Sequence, residues 1–324
     1  MADILEPDMA DRIFTEEFLQ QAGQPSADKL IDAARSEDFL KALSFLKELS
    51  VELATMYYSY RGWEKGILKH LSYIHDQTVA AKALSDTEDY QTFPERDVDF
   101  KQTMPLWQQY LADIKAACEA EDTDSTVSLT ETLIEKALTT HDGMMSRVAC
   151  LTSLFHGLCG EEATMTLLQE VMQPEGMDPD GTLPVKEKIL QLITFTRSHL
   201  LPFRLVEDDE KFTFMPDPCP SGGRLVQMGH YEAPYNNSLV KEASSLTYGR
   251  KDFPVYCCHE PAMEVASILK TGRPVFVVQT PEDGRIGFSP CKIHIYKDPC
   301  DIPDHYFERI GIERPENLIA RSRS

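Results

Sequence analysis

The sequence predicts an α+β protein in which an N-terminal helical bundle is followed by a smaller α+β domain rich in cysteine and histidine. Up to about residue 200, apolar residues recur three and four positions apart in long stretches with few glycines or prolines, which is the pattern of amphipathic helices. After residue 200, short β-branched and aromatic runs lie between Pro, Gly, Asp and Asn, which indicates strands and loops. The length of 324 residues fits two domains, and we assign them to residues 1–200 and 201–324.

Within the helical half, Ser26 is the predicted N-cap of the first helix. Residues 85–99 are acidic and contain proline, so they predict a loop. A further interruption is expected around residues 139–143 and a second break at Gly160, and Pro202 ends the last helix. The predicted helices therefore span residues 27–35, 39–84, 104–120 and 183–200, and residues 129–140 and 143–172 form either two further helices or one bent helix.

The C-terminal third predicts four strands and one helix. The helix covers residues 261–270, with Pro261 in its first turn and Gly272 just past its end, the usual distribution of these two residues at helix termini. The predicted strands span residues 203–206, 211–215, 274–278 and 292–296.

Charge and composition exclude several classes of function. The chain carries 32 Lys and Arg against 53 Asp and Glu, a net charge of −21, so its surface repels phosphate backbones and a nucleic-acid partner is not expected. No apolar run approaches the roughly 20 residues of a membrane-spanning helix, and the acidic start does not resemble a signal peptide. We therefore expect no membrane partner, a cytoplasmic location and reduced thiols. The oligomeric state stays open.

Cysteines supply the strongest functional signal, because five of the eight fall after residue 218 in loop-like or strand-end contexts, and four of these five stand directly beside Pro or His. Zinc prefers four thiolate or imidazole ligands in a tetrahedron. Cys219, Cys257, His259 and Cys291 would supply them if their segments converge. No C-x-x-C motif occurs, so spacing does not test this set. The alternative is that the thiols simply pack as small apolar side chains.

The segment that follows Cys219 is a candidate substrate-binding turn. Consecutive Gly222 and Gly223 after Ser221 can orient backbone N–H groups toward one anion, and Arg224 adds a planar guanidinium that suits a carboxylate. Arg250 lies in a second basic segment. These features predict a small carboxylate-bearing substrate, although a plain turn and a solvated loop would explain them as well.

Two residues near the start of the helix over 261–270 are candidate catalytic groups. Glu260 is placed to act as a general base beside a metal-bound water. Cys258, like Cys257, precedes the helix and stands beside His259, so either cysteine is a candidate nucleophile that needs no metal.

The order of several short motifs resembles a known family. Gly160-Glu161-Glu162-Ala163, then Pro218-Cys219-Pro220, then Tyr256-Cys257, then Cys291 is similar to the order found in the L-2-amino-thiazoline-4-carboxylic acid hydrolase family and its uncharacterised relatives. The resemblance covers roughly residues 140 to 300. It implies a cytosolic hydrolase that acts on a C–N or C–S bond of a small carboxylated heterocycle, with the three cysteines near the site. The Ser-Gly-Gly-Arg segment and the doubled cysteine before His259 depart from the family pattern.

Together these observations predict a zinc-dependent enzyme, a hydrolase or lyase, that acts on a small carboxylated substrate. Two alternatives remain open. In one, a structural zinc closes a non-catalytic binding or scaffold protein. In the other, the protein is a metal-free enzyme with a cysteine nucleophile.

Overall fold

The structure is a computed structural model that describes residues 12–74, 99–172, 178 and 180–319. Within these ranges, none of the helices contains a stretch long and apolar enough to cross a membrane. Long helices form the N-terminal part and a small antiparallel sheet with further helices forms the rest, which confirms the predicted α+β class.

Six helices of the described chain precede the first strand, and the longest runs over 49 residues. Its one non-helical residue is Gly160, with φ 79° and ψ −176°, a backbone conformation that residues with a Cβ rarely adopt. The six helices are α1 (Glu16–Ala22), α2 (Ser26–Arg35), α3 (Phe39–Ser72), α4 (Phe100–Glu119), α5 (Thr123–Val171) and α6 (Val185–Arg197).

Comparison with the sequence predictions gives agreement on most helices and two corrections. The break at Gly160 is confirmed, but the interruption expected around residues 139–143 is wrong, because α5 continues through it. Ser26 is not an N-cap: it is the first helical residue, and its hydroxyl donates a 2.6 Å hydrogen bond to Glu52. The predicted end of the long helix and most of the loop over 85–99 lie outside the described residues.

The sheet of the C-terminal part has four strands in the order β1-β2-β6-β5, and all of its neighbouring strands are antiparallel. Between β2 and β5 lie a short helix, a two-stranded ribbon and a longer helix. In chain order these elements are β1 (Phe203–Glu207), β2 (Lys211–Pro216), α7 (Gly222–Gln227), β3 (Leu239–Val240), β4 (Phe253–Pro254), α8 (His259–Thr271), β5 (Val277–Gln279) and β6 (Lys292–Tyr296), followed by α9 (His305–Glu308).

The apolar core is continuous across the change of architecture at residue 200. One cluster of buried side chains extends from Phe14 to Leu318, and α5 packs against α8 and against the turn that precedes it. Buried Glu207 on β1 accepts hydrogen bonds from the backbone N–H groups of Ile13 and Phe14 at 2.8 and 3.2 Å. The helical and the mixed parts are thus packed against each other at the place where the candidate site lies.

Candidate functional site

A pocket of about 90 Å³ lies between the helical part and the mixed part of the chain. Trp63 on α3 and the last turn of α6 form one wall, while the turn before α7, the start of α8 and the segment before β6 form the other. Most of the lining is apolar. The lining residues with a hydroxyl, thiol, imidazole or carboxylate group are Thr196, His199, Cys219, Ser221, Cys257, His259, Glu260, Ser289 and Cys291.

Three of the eight cysteines line this pocket, namely Cys219, Cys257 and Cys291. Gly222 and Gly223, which the sequence predicted to form a turn, are instead the first two residues of α7. A Cβ on Gly222 would collide with Cys257 Sγ, and a Cβ on Gly223 would lie 2.6 Å from Cys219 Cβ. Only glycine therefore lets the start of α7 approach these side chains so closely.

The three thiols differ in their electrostatic surroundings. Burial raises the pKa of all three, and the neighbouring Cys219 and Cys291 thiols raise the pKa of Cys257 further. Cys219 differs because backbone N–H groups of Ser221, Gly223 and Arg224 act on its sulfur and oppose that shift. The Gly223 nitrogen lies 3.4 Å from Sγ. Since such donors stabilise a thiolate, Cys219 is the pocket thiol best placed to ionise.

His259 and Glu260 form the pocket wall at the start of α8. His259 Nδ1 lies 2.6 Å from the carbonyl oxygen of Tyr256, and its Nε2 lies 3.4 Å from Glu260 Oε1. Burial alone would lower the pKa of His259, but the Glu260 carboxylate and these hydrogen bonds raise it overall. A proton on this imidazole is therefore favoured by its surroundings.

The four predicted zinc ligands, Cys219, Cys257, His259 and Cys291, all line the one pocket. Across the described ranges, however, no three His, Cys, Asp or Glu side chains are arranged so that they could hold a metal ion. The thiol and imidazole groups that zinc prefers thus line the same pocket, but they do not surround one point as the ligands of a preformed zinc site do.

The other predicted site residues divide between the pocket and its surroundings. Ser221, Gly222, Gly223 and Glu260 line the pocket. Cys258 is fully buried, with its thiol directed at the carbonyl oxygen of Pro254, and it is not part of the lining.

The two arginines expected to hold a carboxylate have partners within the protein. Arg224 donates two hydrogen bonds of 2.7 Å to the carboxylate of Asp142, and Arg250 donates one of 2.7 Å to the carbonyl oxygen of Pro281. Neither arginine belongs to the pocket lining. Among the described lining residues there is therefore no guanidinium for the predicted carboxylate.

A buried chain of hydrogen bonds, which the sequence did not indicate, starts and ends at the pocket. Ser221 donates to the Tyr256 hydroxyl at 3.1 Å, and that hydroxyl lies 3.3 Å from the hydroxyl of Tyr60. Tyr60 lies 3.3 Å from His141 Nε2, which is also 2.9 Å from His199 Nδ1. Both Ser221 and His199 line the pocket. The chain thus joins residues from both parts of the protein.

Asp142 contacts one member of this series of hydrogen bonds, His141, and fixes its position. Its carboxylate lies 3.2 Å from His141 Nδ1 and receives both hydrogen bonds of Arg224. Burial would raise the pKa of Asp142, but the hydrogen bonds and charges of His141 and Arg224 lower it overall. Asp142 is therefore a carboxylate, and Arg224 serves to fix it.

No family model, no curated protein and no solved structure matches this chain. The resemblance to the thiazoline-carboxylate hydrolase family stays a prediction.

Proposed function

We propose that this protein is a thiol-dependent enzyme, a hydrolase of small and largely apolar molecules, in which Cys219 is the nucleophile. One observation supports this proposal above all. The Cys219 sulfur lines an enclosed pocket, receives backbone N–H groups, and shares that pocket with two imidazoles, those of His199 and His259. A nucleophile, donors that stabilise its anion and groups that carry protons are the parts that covalent acyl transfer requires.

The raised pKa of Cys219 means that its thiol is protonated near neutral pH and must lose its proton as it attacks. A nearby imidazole can accept that proton, after which the thiolate bonds to an electrophilic carbon and the leaving group departs with a proton. Water then releases the product from the thioester and restores the thiol. The backbone donors on the sulfur reduce the cost of the transient thiolate.

The lining indicates the class of substrate. Among the described residues the lining surface is mostly apolar and includes no Lys or Arg side chain, so an apolar body with one polar, electrophilic group fits better than a strongly anionic molecule. A volume of about 90 Å³ admits only a small molecule or one end of a larger one.

The test uses p-nitrophenyl acetate as the probe, with p-nitrophenolate release followed by absorbance and the protein followed by intact-mass and peptide mass spectrometry. We expect one acetyl group on Cys219 and a burst of p-nitrophenolate. Cys219→Ser should abolish both. The matched control is Cys300→Ser, since Cys300 lies in a turn outside the pocket lining. Acetylation spread over several cysteines, or a Cys219→Ser protein with an unchanged burst, would reject the proposal.

A zinc-dependent hydrolase or lyase is the second candidate. His259 supports it, because a metal-bound imidazole usually directs its other ring N–H at a backbone carbonyl, as Nδ1 of His259 does toward Tyr256. Zinc would use the thiolates of Cys219, Cys257 and Cys291 and supply a Lewis acid, after these side chains rotate toward each other. Elemental analysis separates the candidates: close to one zinc per chain, lost in Cys291→Ser but kept in Cys300→Ser, would favour the metal enzyme.

A further inference from the structure

His199 lies two residues beyond the end of α6 and belongs to the pocket lining. Its Nδ1 is 2.9 Å from Nε2 of His141 on α5. Because His141 occupies the Nδ1 edge of the ring, Nε2 is the ring nitrogen that remains available to a group in the pocket. Among the described residues, the structure gives no hydrogen-bond partner to this second nitrogen.

The position of each proton in this pair follows from Asp142. A carboxylate only accepts hydrogen bonds, so His141 Nδ1, 3.2 Å away from it, must carry a hydrogen. With this single hydrogen on the His141 ring, Nε2 is an acceptor, and His199 Nδ1 is its donor. A His199 ring whose one hydrogen is on Nδ1 has a free lone pair on Nε2.

We propose that His199 is a catalytic residue that accepts a proton at Nε2 from the group reacting in the pocket, and that His141 and Asp142 are positioning residues that hold it in the required tautomer. The proposal deepens the proposed function, since on that function the proton comes from the thiol of Cys219.

The transfer balances without any other reactant. When Nε2 of His199 gains the proton, its Nδ1 proton can move to Nε2 of His141, and the positive charge then lies on the ring beside the Asp142 carboxylate. The reverse movement returns the proton to the leaving group. The S–H bond of Cys219 breaks as the proton enters the relay, N–H bonds form and break within it, and the last step forms the bond between this proton and the leaving group.

Two further observations favour His199 over His259 as the proton acceptor. Burial and the neighbouring imidazoles of His141 and His259 lower the pKa of His199 well below its usual value, so its lone pair is free near neutral pH. His259 Nε2, in contrast, faces the Glu260 carboxylate at 3.4 Å, which favours a proton at that position. Two imidazoles that share a pocket but differ in this way are suited to opposite proton-transfer roles.

The first measurement is the tautomer of His199 in the wild-type protein, by NMR of ¹⁵N-labelled histidine. We expect an unprotonated Nε2 and a protonated Nδ1. Asp142→Asn should change this, because an amide can donate to His141 Nδ1 and reverse the hydrogen-bond direction, so that the proton of His199 moves to Nε2. A purely structural role for Asp142 would leave the tautomer as it is.

The second measurement is the rate of acetylation by p-nitrophenyl acetate. His199→Ala should lower it by about 10²- to 10⁴-fold, the usual contribution of a general base, and added imidazole should restore part of the rate. The matched control is His70→Ala, since His70 pairs with Glu170 and is not part of the pocket lining. A His199→Ala rate within about twofold of wild type, absence of imidazole rescue, or a protonated Nε2 in the wild-type protein would overturn the proposal.

The two proposals fail in different ways. If acetyl is found on Cys219 while His199→Ala reacts normally, Cys219 keeps its role and His199 loses the one assigned to it. If acetyl is found on another residue, the proposed function is wrong, and the NMR tautomer then supports or overturns the assignment of His199 by itself.

Discussion

A methyl group added to Gly223 should strain the turn that carries Cys219. The new Cβ would lie 2.6 Å from Cys219 Cβ and 3.0 Å from Gly287 Cα, whereas carbon atoms in contact normally lie about 3.5 to 4.0 Å apart. Neither obstacle is the end of a flexible side chain. Gly287 is also confined from its other side, because a Cβ on it would meet Val226 Cβ at 2.6 Å. The collision must therefore be relieved by moving the backbone.

A matched substitution isolates the size of this effect. Gly62 lies inside α3, and apart from its chain neighbours and the adjacent helix backbone no described atom lies within 4 Å of the position that its Cβ would take, so Gly62→Ala should gain up to about 1 kcal/mol from helix propensity alone. Gly223→Ala receives a similar gain but loses about 1 to 3 kcal/mol to overpacking. The free energies of unfolding of the two variants should thus differ by about 1 to 3 kcal/mol, with Gly223→Ala the less stable.

Urea unfolding followed by circular dichroism measures that difference, provided that the denaturant dependence is the same in both variants. A second assay addresses the site. In the Gly223→Ala protein, Cys219 should move away from the backbone N–H groups that stabilise its thiolate. Its alkylation by iodoacetamide should therefore be slower than in the Gly62→Ala protein. Equal stabilities of the two variants and equal alkylation rates of Cys219 would refute this account of the turn.

Two further predictions concern buried carboxylates. Burial raises the pKa of Glu52 from 4.5 to about 7, so its contribution to stability is complete below about pH 4.5 and is lost as the pH rises through about 7. Relative to Glu52→Gln, the free energy of unfolding of the wild-type protein should fall by up to about 3 kcal/mol between these pH values, as measured by urea unfolding. The same pH dependence of stability in both proteins would contradict this. Glu207→Gln should lower the free energy of unfolding by about 1 to 3 kcal/mol, because Glu207 binds the backbone of Ile13 and the ammonium of Lys297. Glu210→Gln, on the exposed surface, should leave it almost unchanged. Equal unfolding midpoints of the two variants would count against this role of Glu207.

Local pattern was sufficient to predict most helices and the strands of the larger sheet, because periodicity and proline or glycine positions act within a few residues. It failed around residues 139–143, where Thr-Thr-His-Asp-Gly has the composition of a turn. There the helix accommodates the Thr139 and Thr140 hydroxyls, which donate to the carbonyl groups four residues before them, and the burial of His141 and Gly143 favours its continuation. Tertiary packing outweighed local propensity at that point.

The site was predictable only where residue type was itself the signal. Cysteines are rare and chemically specific, so Cys219, Cys257 and Cys291 could be selected from the sequence without knowledge of the fold. His141 and His199 could not, because they are 58 positions apart, one on α5 and the other just beyond the end of α6, and no spacing rule relates them. The same holds for Arg224, whose hydrogen bonds to Asp142 depend on how α7 packs beside α5.

The division of the site between the two parts of the chain has a physical consequence. The helical part supplies Tyr60, His141 and His199, and the mixed part supplies the thiols and Tyr256. The two tyrosine hydroxyls are 3.3 Å apart, close to the limit of a hydrogen bond, so a relative shift of about 1 Å between the parts would separate them. Because one continuous core joins the parts, packing at the junction keeps that distance. Mutations in this core, even far from the thiols, should therefore alter the surroundings of Cys219 by changing how the two parts meet.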